Sequence, residues 1–504
     1  MKVILAGYNI DTEVINELAK NCPPRLDITP ETLSAAYARI SRDPRPVDEL
    51  RADARHEVER ARRSNQTIIF RMGHHSVAEH AVFNFDILGV SRLAIEGIEH
   101  FRLASYTEKS QRYVKIGEGV VIPEEIKSAG KEKEFMSLAR RQHELYEVLY
   151  TKLRPYFLSK YQDLAAEPKN QIILDNWAKE DARYVLSLAT PSQLGMTVNA
   201  RTLELMIRRF TAAPLAELRL LGQELYDSAR RIAPSLLLFT AASRYEVRTS
   251  EELKSGVEMA PKKNVPLDQK TNQKPVKLIT MTPGGDDFLL AALLHPISGR
   301  SFEATEKWVK KLSPGEKRGL WRGSFRHLEF YDRLLREFEH VDFTFELVVS
   351  AACFAQLKRH RLATITSQPY DPSLGVIIPP SIKAVGGQKD FLALMRQCEL
   401  LYRQLRPRIG EAAAYVLTNA HRRRVLFKAN VRELYHVSRL REDASAQWDI
   451  RKIVTEITKQ AKKRMPLAFL LIGGKDAFPR IYEKVFARPP ESLPPTLFKP
   501  VKLQ

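Results

Sequence analysis

Cysteine is scarce in this chain, with three among 504 residues, at Cys22, Cys353 and Cys398. Thiols so few and so scattered build neither a disulfide framework nor a thiolate metal site, and a reducing cytoplasm is the simplest compartment. Long apolar runs are absent too, so nothing in the sequence reads as a bilayer-spanning helix. The amino-terminal MKVILAGYNIDTEV has only a short apolar stretch with acids soon after it, which reads as a buried first strand rather than a signal peptide. A detached basic tail of the kind that wraps nucleic acid is also missing. Positive charge is what the chain has in excess: Lys and Arg number 80 against 60 Asp and Glu, a formal net charge of +20. That surplus calls for an anionic partner, for which nucleic acid, nucleotides and polyglutamylated folate all qualify. The hydrophobic fraction of 44% and the length suit a soluble protein of two or more domains.

One pattern occurs twice. Glu79-His80 is followed by AVFNFDI and Glu339-His340 by VDFTFEL. Each alternates apolar and polar residues, which puts Phe83, Phe85 and Ile87 on one strand face, and likewise Phe343, Phe345 and Leu347. A helix-like apolar segment follows each, and then His100-Phe101-Arg102 answers Arg359-His360-Arg361. Farther on, Arg183 in ARYVL faces Ala414 in AAYVL, and VNARTL (198–203) answers ANVREL (429–434). Matches in the same order mark a tandem duplication. The join lies in 246–276, rich in Lys, Pro, Asn and Gln, and reads as an exposed linker. Domains over 1–245 and 277–504 follow, each a mixed α+β unit.

Several residues carry chemistry by spacing alone. Gln356 and Arg359 are three apart in a helical pattern, so the sequence predicts that they share a face and present an amide and a guanidinium together. Asn430 and Arg441 are eleven apart, about three helical turns. Ser110 and Arg112 alternate in a segment without helical period, so a hydroxyl and a guanidinium could meet one anion. Arg183 lies in an apolar stretch where an unpaired charge is costly, which calls for a buried partner. The three cysteines have no recognisable activating context, so a cysteine nucleophile is not expected.

Residues 100–112 and 359–371 both resemble the R-H-R-x-x-S-x-N-x-x-S-x-R signature of flavin-dependent thymidylate synthases (ThyX). The resemblance covers nearly the whole chain, as two ThyX-like domains in tandem forming a pseudo-dimer. It implies a family that makes dTMP from dUMP, with methylenetetrahydrofolate as carbon donor, FAD as hydride carrier and NADPH as reductant. It also implies a homodimer equivalent to the family's tetramer, and pockets completed by residues from two subunits. Position by position, the second half supplies Gln356, Arg359 and Arg441 toward dUMP, and the first supplies Glu108, Ser110, Gln111, Arg112 and Arg183. Arg359, Arg441 and His74 match catalytic positions, His74 within a G-H-x-S-x-x-E-H segment. Ser76, Glu108, His360, Arg361, Asn430, Arg432 and His436 match FAD positions. No metal is implied.

The two copies depart from the signature in opposite places. Gly97, His100 and Phe210 stand where Gln, Arg and Arg are expected in the first half. Ser367, Pro369, Asp371 and Ala414 stand for Glu, Ser, Arg and Arg in the second, and Thr107 and Thr366 both replace Asn. Division of labour after duplication explains losses that cluster in this way, and the expectation is one composite active site. The alternative is a catalytically inactive ThyX-derived protein that binds flavin or nucleotide. Binding to RNA or DNA would rest on charge alone, without any recognised module.

Overall fold

The computed structural model describes residues 1–21, 29–39, 44–45, 47–259 and 274–494. Cys22 lies outside them. The fold is mixed α+β, with two four-stranded antiparallel sheets among the described residues. The first runs β1-β2-β4-β3, from Lys2–Tyr8, Val82–Ser91, Ala104–Glu108 and Pro191–Asn199, numbered in chain order. The second runs β5-β6-β8-β7, from Val276–Met281, Asp342–Ser350, Thr364–Ser367 and Arg422–Asn430. The strand order is the same in both, so the duplication read in the sequence is a duplication of topology.

The expected strand faces are in place. Phe83, Phe85 and Ile87 are fully buried, and so are Phe343, Phe345 and Leu347. The period of two places one face of each central strand in a core, and burying such side chains supplies the main driving force for each sheet. Even the irregularities repeat. β1 slips register on β2 between Leu5 and Gly7, and β5 slips on β6 between Leu278 and Thr280. One irregularity does not repeat. β2 has ten residues and β6 nine. The extra residue is Gly89, at φ +70°, where the β2–β4 ladder shifts between Leu88 and Val90. This is a bulge, and a backbone in that region favours glycine.

Both central strands end on a serine that caps the next helix. Ser91 accepts from the Ala94 N–H and Ser350 from the Cys353 N–H, both at 3.0 Å. Each hydroxyl then donates to a buried acid: Ser91 to Glu217 at 2.6 Å and Ser350 to Asp449 at 2.5 Å. Helices Arg92–Ile98 and Ala351–Leu357 follow. Asn199 and Asn430 cap the helices after β4 and β8 in the same way, accepting from Thr202 and Glu433 N–H, both at 2.8 Å.

The compact units differ from the sequence halves. One comprises Met1–Asp268 with Ile378–Thr418, and the other Gln269–Ile377 with Asn419–Gln504. The exchanged segment carries helix Gln388–Ile409, which belongs with helix Glu132–Lys160 of the first unit. There the Gln142 amide donates to Cys398 Sγ at 3.2 Å and to the Val416 carbonyl at 3.1 Å. The first part of the expected linker is a helix, Arg244–Met259, that buries no side chain. Residues 260–273 of that linker lie outside the described residues. No helix among the described residues is long and apolar enough to cross a membrane.

Candidate functional site

The site residues fall into two clusters, one in each unit. In the first unit, β3 ends at Glu108 and the chain turns at once. The Ser110 hydroxyl accepts from the Arg112 N–H at 3.1 Å, so it shapes this turn. Arg112 is bonded to Glu180 on helix Pro168–Ala182. Burial acts to lower the Arg112 pKa, but Glu180, with Tyr113 and Tyr184, outweighs it and the net shift is upward. Arg183 follows in a 3-10 turn and is buried. Its pKa is lowered, by burial first, with Glu180 opposing and Arg112 and Arg92 adding repulsion. Glu180, which is bonded to Arg112, also attracts Arg183 electrostatically. Arg92 joins the cluster from the helix after β2, 3.5 Å from Glu96 and 4.0 Å from Glu108. Gln111 is buried beside the turn.

In the second unit the cluster lies between the end of helix Ala351–Leu357 and helix Val431–Arg441. Gln356 is buried, and its amide N–H reaches the Gln447 side-chain oxygen at 3.4 Å. The other amide atom, Oε1, is buried with no hydrogen-bond partner among the described residues. The helix stops at Leu357, and Arg359 sits in the following turn with its side chain exposed. Gln356 and Arg359 therefore do not share a helical face as their spacing predicted. The period of 3.6 holds only while the helix continues.

His360 is buried and central. Arg441 Nε donates to its Nε2 at 3.0 Å, and a terminal nitrogen of Arg441 reaches the Gln356 backbone carbonyl at 3.4 Å. Arginine is only a donor, so Nε2 carries no proton and the neutral ring is assigned the Nδ1–H tautomer. Nδ1 faces Glu433 at 3.6 Å. Burial drives the His360 pKa well down, helped by Arg441, His436 and Arg359. Burial also pushes the Glu433 carboxyl up to about 7, against His436 and Arg432. The His360–Glu433 contact is therefore not a salt bridge near neutral pH, because the imidazole stays uncharged. His436 is exposed, its ring edge-on to His360 at 5.9 Å between centroids.

Other predicted residues have structural partners. Arg432 bonds Glu339 at 2.6 Å and the Leu334 carbonyl at 2.7 Å. Its counterpart Arg201 bonds Glu79 at 2.6 Å, so this link is common to both units. Asn430 is the helix cap already described. Arg361 is exposed, as are His74 and Ser76, which lie in the stretch that leads into β2.

The positions lost in one half have been rebuilt rather than left open. In the first unit Phe101 stands for His360 and Phe210 for Arg441. Their rings meet edge-on at 5.7 Å, and both are buried. A Cβ on Gly97, the counterpart of Gln356, would lie 2.8 Å from Leu218 Cδ1. In the second unit Asp371, the counterpart of Arg112, caps a turn and accepts from Ser373 N–H and Oγ at 2.8 and 2.6 Å. Beside it the Arg423 guanidinium lies over the rings of Phe354 and Tyr370, 4.6 and 4.4 Å from their centroids. Cys353 and Cys398 are buried, with thiol pKa values raised by burial, the second to about 12. Such thiols are poor nucleophiles.

Sequence reasoning passed over Glu180, Arg92, Glu433 and Gln447. Two signals were available: Glu180 is three residues before Arg183, and Arg92 and Glu96 sit four apart within an apolar helix. Glu433 and Gln447 carried no such signal.

Comparison with known proteins gives the same duplication. The family model described as thymidylate synthase complementing protein matches residues 26–235 and again 277–467. A flavin-dependent thymidylate synthase of Clostridium tetani is 30% identical over 42% of this chain and 83% of its own length. A UPF0159 protein of Thermoplasma acidophilum is 24% identical over 86% of this chain and 92% of its own. A UPF0159 protein of Chlamydia pneumoniae is 25% identical over 82% and 80%.

Proposed function

Because the chain belongs to the family of thymidylate synthase complementing proteins, matched in both of its halves, we propose that it is a flavin-dependent thymidylate synthase whose two halves have divided one substrate site. Its substrate is dUMP, its carbon donor methylenetetrahydrofolate and its reductant NADPH. The observation that carries this reading is the opposite fate of matching positions. Gln356, His360 and Arg441 form a polar cluster, where Phe101 instead meets Phe210 and Gly97 lies against Leu218. Drift without function has no reason to keep a buried guanidinium–imidazole contact, since buried charge is costly without a use.

The residues of the second unit bear on FAD. Arg359, Arg361 and His436 are exposed there, and buried Gln356 Oε1 has no partner. The two guanidinium groups and the imidazole, with a buried amide oxygen that has no partner among the described residues, suit a flavin dinucleotide, so the group fits. When bound, FAD supplies the hydride. The chain's own contribution is positioning and charge. Arg359 and Arg441 would hold the pyrimidine and draw electron density toward its carbonyl oxygens. Arg112 and Arg183 would meet the phosphate, with Glu180 keeping Arg112 in place, while Ser110 fixes the turn that carries Arg112. His74 would position the folate.

A second reading is a ThyX-derived protein that binds flavin or nucleotide without turnover. One observation favours it: Arg432, at a flavin position, is already held by Glu339 and the Leu334 carbonyl. Formation of dTMP from dUMP with FAD, NADPH and methylenetetrahydrofolate separates the two. Turnover with one dUMP bound per chain supports the enzyme. Protein that takes up FAD yet makes no dTMP supports the second reading, and protein that takes up neither FAD nor dUMP removes both.

A further inference from the structure

Glu433 has no place in the function just described, yet it is buried against the residue that holds Arg441. Helix Val431–Arg441 presents Glu433 near its start and Arg441 at its end, and His360 lies between them. The chain of contacts is directional. Arg441 can only donate, which leaves His360 Nε2 as acceptor and puts the ring proton on Nδ1. The Glu433 Oε1 that faces it is 3.6 Å away, beyond hydrogen-bond length, and is itself buried without a hydrogen-bond partner among the described residues. Were the proton on Nε2, two donors would face each other and Arg441 would lose its hold. Whichever group accepts from Nδ1–H therefore decides whether Arg441 can be held. The same logic sets the second nitrogen of a histidine in many working sites.

The first unit supplies an independent reason to treat this as one device. The counterparts of Glu433, His360 and Arg441 are Thr202, Phe101 and Phe210. All three ionisable groups are missing together, while the shared scaffold around them is kept: the asparagine cap, the serine cap and the Arg–Glu link are the same in both units. An acid kept only to favour the helix start would have no reason to vanish along with His360 and Arg441.

We propose that Glu433 is a positioning residue: its buried carboxyl, 3.6 Å from Nδ1, favours the Nδ1–H tautomer of His360 by electrostatic attraction, and the imidazole in turn holds the Arg441 guanidinium ready for an anionic ligand. This rests on the reading of Arg441 as a dUMP contact, but the tautomer does not depend on any ligand. The charged and titratable groups around the pair are Arg432, His436 and Arg441 on the same helix and Arg359 in the turn before His360. From helix Trp448–Arg464, Asp449 is engaged with Ser350. Burial raises the Glu433 pKa toward neutrality, so the carboxylate, the stronger acceptor, forms as pH rises through about 7. Arg441 should be held better above that pH than below it.

The test uses the full chain with its histidine rings labelled with ¹⁵N, and His360→Gln assigns the His360 signal. Without ligand, the wild type should show His360 as the Nδ1–H tautomer. Glu433→Thr, which copies the residue that the first unit accommodates at Thr202, should shift it toward Nε2–H, whereas Glu433→Asp should largely restore the wild-type pattern. Binding of dUMP, measured between pH 6 and 8 by calorimetry, should weaken about tenfold in Glu433→Thr. In Glu433→Gln its step near pH 7 should flatten. The ionisation of dUMP itself contributes equally to all variants, so the difference between them is what counts. A His360 tautomer unchanged in Glu433→Thr overturns the proposal, even if that variant is less stable. If the wild type binds no dUMP while the tautomer responds as expected, the positioning role stands and the substrate reading falls.

Discussion

Helix Ala200–Thr211 and helix Val431–Arg441 start alike and end in opposite chemistry. Each begins at a capping asparagine and carries an arginine bonded to the Glu of a Glu-His pair. Near its end, the first places Phe210 against Phe101, and the second places Arg441 against His360. The comparison separates scaffold from site. Caps, the register slip of the first strand and strand order are the minimum that each sheet needs, and both units retain them. The site residues are not needed for the sheet. Where they were released, apolar packing replaced them, because a buried polar cluster without a ligand is a net cost. The loss in the first unit is therefore a repacking, and restoring one residue would not restore a site.

Catalysis should break the comparison most sharply. Arg359→Ala and Arg112→Ala lie in different units, yet each should cut dTMP formation about 100-fold or more, the scale for losing a charged group aimed at a reacting system. His100→Ala and Asp371→Ala, at the corresponding places in the opposite halves, should keep most of it. Steady-state turnover of the four variants decides this, and the reverse pattern would show that the halves are paired wrongly.

Stability should respond the other way. Phe210→Ala should cost about 3–5 kcal/mol in denaturant unfolding, as large aromatic truncations in cores do, and Gly97→Gln should destabilise through its clash with Leu218. A cost below about 1 kcal/mol for Phe210→Ala would mean that the apolar repacking holds little of the first unit together.

The pH dependence of stability should differ between the units as well. Glu433 has a folded pKa raised above its unfolded value, so its contribution to stability is present at low pH and is lost as pH rises toward about 7. His360 has a lowered folded pKa, so it costs stability as pH falls below its unfolded value near 6.5. Glu433→Gln should remove the first slope and leave the second. Melting temperatures between pH 5 and 8 read both, and identical curves for variant and wild type would count against the raised carboxyl.

The smallest difference concerns the shared link. Arg201 and Glu79 are half exposed, so Arg201→Ala should cost less than about 1 kcal/mol. Arg432→Ala should cost somewhat more, since Arg432 also holds the Leu334 carbonyl. Equal costs in chemical denaturation would mean that this second bond contributes nothing.

Much of the fold was legible because it repeats. Alternation in AVFNFDI and VDFTFEL placed two central strands, and the parallel order of matches placed the duplication. The opposite chemistry of matching positions was also legible, since Gly97, Phe210, Pro369 and Asp371 differ visibly from Gln356, Arg441, Ser110 and Arg112. Less legible was where a helix stops. The Gln356–Arg359 spacing promised a shared face, but the stop at Leu357 buries one residue and exposes the other. Nor could the linear order show that residues 378–418 pack with the first unit, because helix pairing depends on surfaces that meet only in three dimensions.

By itself, then, the sequence determined which chemical groups each half retains, since residue identity is all that such a statement needs. Only the tertiary structure decided how those groups are held. Glu180 is bonded to Arg112, and Glu433 lies beside His360, which Arg441 contacts, because folding brings together residues that lie far apart in the chain.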